Sequence, residues 1–307
     1  MEDSATDMEK LSEGDPTVAI VIPAFNEEKS VESVVSKCLS TLRDRAKVLV
    51  VDDGSSDQTA LVAGQAGAEV ISHRKNKGVA QSIKTGITKA LIFGPDILVQ
   101  LDADGQHDPR DIPSLIHPIL SGEADLVVGK RVYRDWDPPR TKRFGNWLLT
   151  HVTNHLAGTN IDDAQSGFRA MSIHLARDLE LTSRNTYVQE MIIRAAREGF
   201  RVDQVDITVQ PRGKGKSKVV SSIISYASGA VVTLLRVYRD YEPLRFFGSI
   251  GGTFLVFGLL LGSLLLLPGN ILPGLNEILG FRSVFLFITV GIQIILFGFL
   301  ADMMNSR

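Results

Sequence analysis

Cysteine is almost missing: Cys38 is the only one in 307 residues. That excludes an internal disulfide and any zinc cluster built on cysteine. A large charge of either sign is missing too, since 33 Lys+Arg stand against 35 Asp+Glu for a formal net charge of −2. Without a basic excess, bulk contact with nucleic acid is not expected. Residues 1–16 lack the apolar stretch of a signal peptide; they hold six acids and one lysine and read as a solvated, disordered tail. No repeat of fixed period runs through the chain. What is present is an α/β-like body with 44% hydrophobic and 22% charged residues, too apolar for a disordered chain. Mean hydropathy is +0.09, high for a soluble protein, and the excess is concentrated after residue 243.

Residues 246–267 carry no charge over 22 positions, and 283–300 none over 18. At about 1.5 Å per residue these runs reach about 33 and 27 Å, enough for a hydrocarbon core of about 30 Å. Pro268, Gly269, Asn270, Pro273 and Gly274 break any helix between them. The alternative is a buried core hairpin, but two neighbouring uncharged runs of this length are rare in soluble folds. From Arg212 to Arg245 there are seven Lys/Arg against Asp240 and Glu242, while the loop between the runs offers Arg282 and Glu277. The positive-inside rule then expects an integral membrane protein with its large N-terminal part on the cytoplasmic face.

That N-terminal part alternates strand-like and helix-like patterns. Segments 17–22, 47–51, 68–72, 97–101 and 124–129 read as strands. Helical spacing covers Val31, Val34, Val35, Cys38, Leu39 and Leu42, then 78–93 and 110–120. Cys38 falls on a core face and is expected to be chemically inert. The alternation implies a mostly parallel, Rossmann-like sheet buried on both faces. Ligands of such sheets sit beyond the carboxyl ends of the strands. Three strand ends here carry polar, acidic turns: Pro23-Ala24-Phe25-Asn26-Glu27, Asp52-Asp53-Gly54-Ser55, and Asp102-Ala103-Asp104-Gly105-Gln106-His107. Two carboxylates one residue apart repel each other and call for a cation. Oxygen ligands suit Mg²⁺ or Mn²⁺, and such an ion neutralises a diphosphate leaving group. His107 is either a further ligand or a packing residue.

Together with Asp57, Asn76-Lys77-Gly78, Gln165-Ser166-Gly167-Phe168-Arg169 and Arg212-Gly213-Lys214-Gly215-Lys216-Ser217-Lys218, these turns resemble the motifs of family 2 inverting glycosyltransferases with the GT-A fold. Within that family they are similar to the dolichyl- and polyprenyl-phosphate hexose synthases. The resemblance covers about residues 17–240. Two C-terminal runs look more like the prokaryotic polyprenyl-phosphate enzymes than the four-span archaeal ones. With the readings from charge and apolar runs, the expected organisation is an acidic tail (1–16), a cytoplasmic GT-A catalytic domain (17–218), an interfacial helix (219–242) and a transmembrane hairpin (243–307, spans about 246–267 and 283–301).

By position, the resemblance implies that Pro23, Phe25, Glu27, Asp52, Asp53, Gly78 and Asp102 bind the nucleotide diphosphate sugar. Asp102, Asp104 and Gln106 would hold the Mg²⁺ or Mn²⁺. Arg131, Arg143, Lys216, Ser217 and Lys218 would bind the phosphate of a dolichyl or polyprenyl acceptor. Asp104, Arg131, Arg212 and Lys218 would be catalytic. Gly129-Lys130-Arg131 carries Lys130 where the family has Ser, which leaves that position's role open. A β-linked product from an α-linked donor, by single displacement, is also implied.

The basic segment 212–218 either closes over phosphates or attracts anionic headgroups; the two are compatible. Residues 219–241 have one apolar helical face and read as an amphipathic helix on the membrane or a third short span. Residues 143–156, with Phe144, Trp147 and Leu148, read as a second interfacial helix or a core helix. Glu190 either contacts sugar or acceptor arginines or is a helix N-terminal acid. A processive polysaccharide synthase would need a longer channel and a Gln-x-x-Arg-Trp motif, and neither is evident. A non-catalytic membrane adaptor would not need Asp102 and Asp104 intact. The sugar, the base, the lipid's length and the oligomeric state are not encoded legibly.

Overall fold

The structure is a computed structural model and describes residues 16–133, 140–181, 187–210, 231–232, 235–236, 238–266 and 280–305. The chain divides into two compact units, Met1–Leu234 and Leu235–Arg307. In the first, one sheet has the order β3-β2-β1-β4-β6-β5-β7. The strands are β1 Val18–Ala24, β2 Ala46–Asp52, β3 Glu69–Ser72, β4 Ile97–Gln100, β5 Leu126–Val132, β6 Arg169–Ser172 and β7 Val202–Thr208. Only β6 runs against its neighbours, β4 and β5. The five expected strands are all present. β6 escapes an apolar-run reading because it is four residues long and opens with the fully buried Arg169. β7 lies at the sheet edge and is only partly buried.

Every residue of β1 is buried, as expected for a strand covered on both faces. Helix α1 (Val31–Leu42) presents Val31, Val34, Val35, Cys38 and Leu42 to that core, a 3.6-residue stripe. Burial pushes the Cys38 thiol up to about 12, which makes it unreactive at neutral pH. Helices α2 (Thr59–Gln65), α3 (Val79–Ala90) and α4 (Ile112–Leu120) complete the first half. Gly86 lets α3 lie directly on β1, since a Cβ there would stand 2.2 Å from Val21 Cγ1. Helices α5 (Arg140–Ala157), α6 (Ile173–Asp178) and α7 (Tyr187–Arg197) follow.

The chain runs outward from β1 to β2 and β3, then returns to put β4 on the other side of β1. The crevice at such a reversal is where open α/β sheets bind ligands. Pairing of β1 with β4 ends at Val21–Gln100, and the last bond is Leu101 N to Val21 O. Ala24 O, on the opposite side, accepts from Asp53 N. By strand alternation Pro23 faces the β4 side just beyond that last bond. Its missing N–H therefore removes no ladder bond and marks where the two strands part.

In the second unit, helices Pro243–Leu266 and Phe281–Asn305 pack antiparallel. A Cβ on Gly251 would meet Gly291 O at 2.6 Å, and one on Gly298 would meet Phe247 Cβ at 2.9 Å, so glycines set the close approach. Both helices are long and apolar enough to cross a membrane, with mean hydropathy 2.1 and 2.5. Their outward side chains, including Leu259, Leu260, Phe285 and Phe297, are exposed. Of the tail 1–16, read from the sequence as disordered, residues 1–15 lie outside the described residues, as do 219–230 of the segment 219–242 read as an interfacial helix.

Candidate active site

Three strand ends meet at the reversal point, and hydrogen bonds lace the first two together. Asn26 sits at φ 55° after β1, a conformation asparagine tolerates better than most. Its N–H donates to Ser55 Oγ (2.9 Å) and its side-chain oxygen accepts from Ser56 N (2.8 Å). The Glu27 N–H donates to Thr59 Oγ1 at 2.8 Å. Asp52 Oδ1 takes the Ser55 N–H at 3.1 Å and the Ser55 hydroxyl. Phe25 and Glu27 are half-buried, while Pro23 and Asp52 are buried.

Asp53 is nearly inaccessible. Its carboxylate accepts from Lys77 N (3.0 Å) and Gly78 N (2.8 Å) and contacts His73 Nδ1 at 2.7 Å. His73 Nε2 in turn lies 3.0 Å from Thr85 Oγ1 on α3. The Asp53–His73–Thr85 chain folds the 73–78 loop onto β2. Gly54 makes room for it: φ is +74° and a Cβ would stand 2.7 Å from Lys75 C. Asp53 thus ties the 73–78 loop to the end of β2. His73 and Thr85 were not singled out from the sequence, and a lone histidine after a strand gives no signal of a buried partner.

The third strand end carries the paired carboxylates. Asp102 is partly open, with 37% of its side chain exposed, and Asp104 Oδ1 accepts from Gln106 N at 3.1 Å. Gly167 explains the Gln-Ser-Gly-Phe-Arg motif: a Cβ there would stand 2.7 Å from Asp102 Oδ2. Next along the motif, Phe168 packs on the His107 ring at 5.4 Å. Arg169, fully buried, donates to the carbonyls of Ala164, Ser166 and Val188. Burial lowers its guanidinium to about 10, so it remains charged and clamps the loop to α7. His107 Nε2 is 3.9 Å from Asp102 Oδ2. Burial pushes His107 down to about 4, so it is neutral at pH 7 and does not balance the aspartates' charge. The oxygen donors that Asp102, Asp104 and Gln106 carry are the kind that suit Mg²⁺ or Mn²⁺.

Arg131 lies beside this turn in a two-pronged pair with Asp163, Nε to Oδ2 at 2.6 Å and Nη2 to Oδ1 at 2.9 Å. Burial raises the Asp163 carboxyl. The Arg131 hydrogen bond and charge, with the Gln165 N–H, more than offset this and hold it below the usual carboxylate range. Asp163 was not singled out from the sequence. Lys130, on the opposite side of β5, pairs with Asp162 and Asp206, so the family's Ser position faces away from Arg131. Glu190 is fully buried and accepts from Arg194 Nε at 2.9 Å. Arg143 sits exposed in the first turns of α5.

The end of β7 reaches the same place. Gln210 N donates to Gln106 O at 2.9 Å, Gln106 Nε2 donates back to Gln210 O at 3.4 Å, and Val209 bridges His107. Arg212, Lys216, Ser217 and Lys218 themselves lie outside the described residues.

The sequence matches the family description "Glycosyl transferase family 2" over residues 19–179. It is 36% identical over 178 residues to the UDP-N-acetylglucosamine–dolichyl-phosphate N-acetylglucosaminyltransferase of Methanococcus voltae, covering 52% of this chain and 70% of that one. It is 31% identical over 244 residues to the undecaprenyl-phosphate mannosyltransferase of Micrococcus luteus, covering 74% and 97%. Glucosyl-3-phosphoglycerate synthase from Mycobacterium tuberculosis, solved with Mg²⁺ and uridine diphosphate, has a similar fold. Its TM-score is 0.60 at 25% identity, covering 76% of this chain and 82% of that one.

Proposed function

The chain belongs to glycosyl transferase family 2, and from that premise we propose that it transfers a hexose from a nucleotide diphosphate sugar to a dolichyl or polyprenyl phosphate. The observation that carries this reading is the acidic turn Asp102–Gln106 at the parting of β1 and β4, hydrogen-bonded to the residue that leads into a basic segment. Such a turn joins a donor's diphosphate to an acceptor's phosphate across one small gap. Two relatives whose names specify polyprenyl-type phosphates and two membrane-length helices support a lipid acceptor.

In this reading Pro23, Phe25, Glu27 and Asp52 receive the nucleoside, and Asp53 with Gly78 holds the loop that closes its wall. Asp102, Asp104 and Gln106 would hold a divalent ion, which would supply charge neutralisation to a nucleoside diphosphate leaving group. The acceptor phosphate, with a second pKa of about 6, is already an anion at neutral pH. It needs alignment more than deprotonation. One of its oxygens forms a bond to C1 of the sugar as the C1–O bond to the diphosphate breaks, inverting that carbon. Arg131 and Arg143 orient the acceptor. Arg212, Lys216, Ser217 and Lys218 clamp both phosphates and exclude water. The charge pattern of the segments flanking the spans favours a cytoplasmic catalytic domain.

The test is transfer of radiolabelled sugar into a lipid phosphate extracted into organic solvent. The full chain is expected to transfer only with lipid phosphate and Mg²⁺ or Mn²⁺ present. Asp104→Ala is expected to insert in membranes normally and transfer nothing. Full transfer by that variant, or equal transfer after chelation, would reject the reading.

A further inference from the structure

The second helix of the hairpin, Phe281–Asn305, covers one seam and leaves another bare. The covered seam runs through Val284, Ile288, Gly291, Ile295 and Gly298, which meet the first helix. Gln293 is exposed. At about 100° per residue it points about 200° away from Gly291, on the opposite side. It is also the middle residue of this 25-residue helix. At about 1.5 Å per residue it lies about 18 Å from either end, too far for so short a side chain to reach interfacial water.

The hydroxyls of the first helix satisfy themselves locally. Ser249 Oγ donates to Phe246 O at 2.9 Å, Thr253 Oγ1 to Ser249 O at 2.8 Å, and Ser263 Oγ to Leu260 O at 2.8 Å, bonds a hydroxyl makes within its own helix. The Gln293 amide makes no hydrogen bond among the described residues. It is the one amide or charged side chain in 246–266 and 283–300. An amide carries two donors and an acceptor, and leaving them in hydrocarbon is costly. The residues around it form a packing seam. Leu286, Thr289, Gln293, Leu296 and Leu300 recur at steps of three and four, the heptad spacing along which two helices pack, and a single buried amide on such a seam fixes their register. Leu286, Leu296 and Leu300 are all exposed.

Depth selects the occupant. Two copies inserted the same way are related by a two-fold axis along the bilayer normal, so each residue lies at the depth of its counterpart. An amide both donates and accepts, so Gln293 and its counterpart satisfy each other reciprocally. We propose that the chain pairs with a second copy of itself in the membrane through the Leu286–Leu300 seam of the second helix, with Gln293 hydrogen-bonded to its counterpart at the bilayer centre. The inference needs the two helices to cross a bilayer and is independent of the sugar and of the acceptor.

The experiment uses the full chain in phosphatidylcholine vesicles. Cys38 is the only native cysteine and is buried, so a single introduced cysteine reports alone. Under mild oxidation Leu286→Cys, Leu296→Cys and Leu300→Cys are each expected to give disulfide-linked dimers. Ile292→Cys and Phe299→Cys, equally exposed but about 100° and 120° off the seam, are expected to give few. Equal cross-linking at all five positions, or at none, overturns the proposal. The second readout is energy transfer between amino-terminally labelled copies as the vesicles are diluted with lipid. Gln293→Leu is more apolar and inserts as well as the parent, yet it is expected to need a several-fold higher protein-to-lipid ratio for half-maximal transfer, and Gln293→Asn is expected to recover most of that loss. Coincident curves for the parent and Gln293→Leu overturn the proposal and mean that the amide is covered by another segment of the same chain or left in lipid. A parent chain released by carbonate extraction also overturns it, while the sugar-transfer assay stands or falls separately.

Discussion

At the scale of single residues, Gly167 is the position where backbone and charge meet most tightly. Its missing Cβ is the space that Asp102 Oδ2 occupies, 2.7 Å from where that atom would be. Gly167→Ala should push the carboxylate out of place while leaving the sheet intact. A displacement of this size costs on the order of 100-fold in rate. A metal titration of transfer should show both a lower maximum and a need for more Mg²⁺, with thermal unfolding almost unchanged. The Arg131–Asp163 pair behaves differently, because both groups are largely buried. Asp163→Asn leaves the guanidinium without its counter-charge, at a cost of about 3 kcal/mol at pH 7. Asp163 is held below its ordinary range. The pair's contribution is therefore complete above the usual carboxylate pKa and is lost as pH falls through the lowered one. Melting curves of parent and variant should converge in that acid region and stay apart at neutral pH.

At the scale of elements, α3 lies on β1 through Gly86. Gly86→Ala should gain about 1 kcal/mol of helix propensity yet lose about 2 kcal/mol or more to overpacking, because its Cβ would fall 2.2 Å from Val21 Cγ1. The melting temperature should drop despite the better helix former, and a rise would mean that α3 can shift outward at no cost. β1 and its neighbours were legible in the sequence because strands covered on both faces are continuous apolar runs. β6 was not, since Arg169-Ala-Met-Ser has no such run. Its burial depends on three backbone carbonyls that tertiary structure brings around Arg169. α5 divided the same way. Its spacing left interfacial and core readings both open, and the structure shows one half buried and the other half exposed.

At the scale of the whole molecule, two membrane-length helices attached to the first unit would confine it to the same membrane as the lipid phosphate proposed as its acceptor. Tethering of this kind gives effective concentrations of about millimolar. A chain ended at residue 242 should no longer resist carbonate extraction. It should also lose transfer to long-chain acceptors in vesicles, while keeping much of its transfer to a short-chain acceptor in detergent. Equal vesicle activity with and without the hairpin would assign the membrane contact wholly to the first unit.

The sequence by itself determined the class of sheet, the two membrane-length helices and the acidic turns, because each depends on residues close along the chain. Burial periodicity, run length and paired charge survive without any knowledge of neighbours. Only the tertiary structure decided which distant partner each polar residue takes. Asp52 and Asp53 look alike in sequence, yet Asp53 faces the 73–78 loop and is closed in by His73. Asp163 acquires its role from Arg131, 32 positions away in the chain, and Gln210 from Gln106 across the sheet. Partnerships between residues far apart in sequence are set by the order in which strands join the sheet, and a local reading carries no trace of that order.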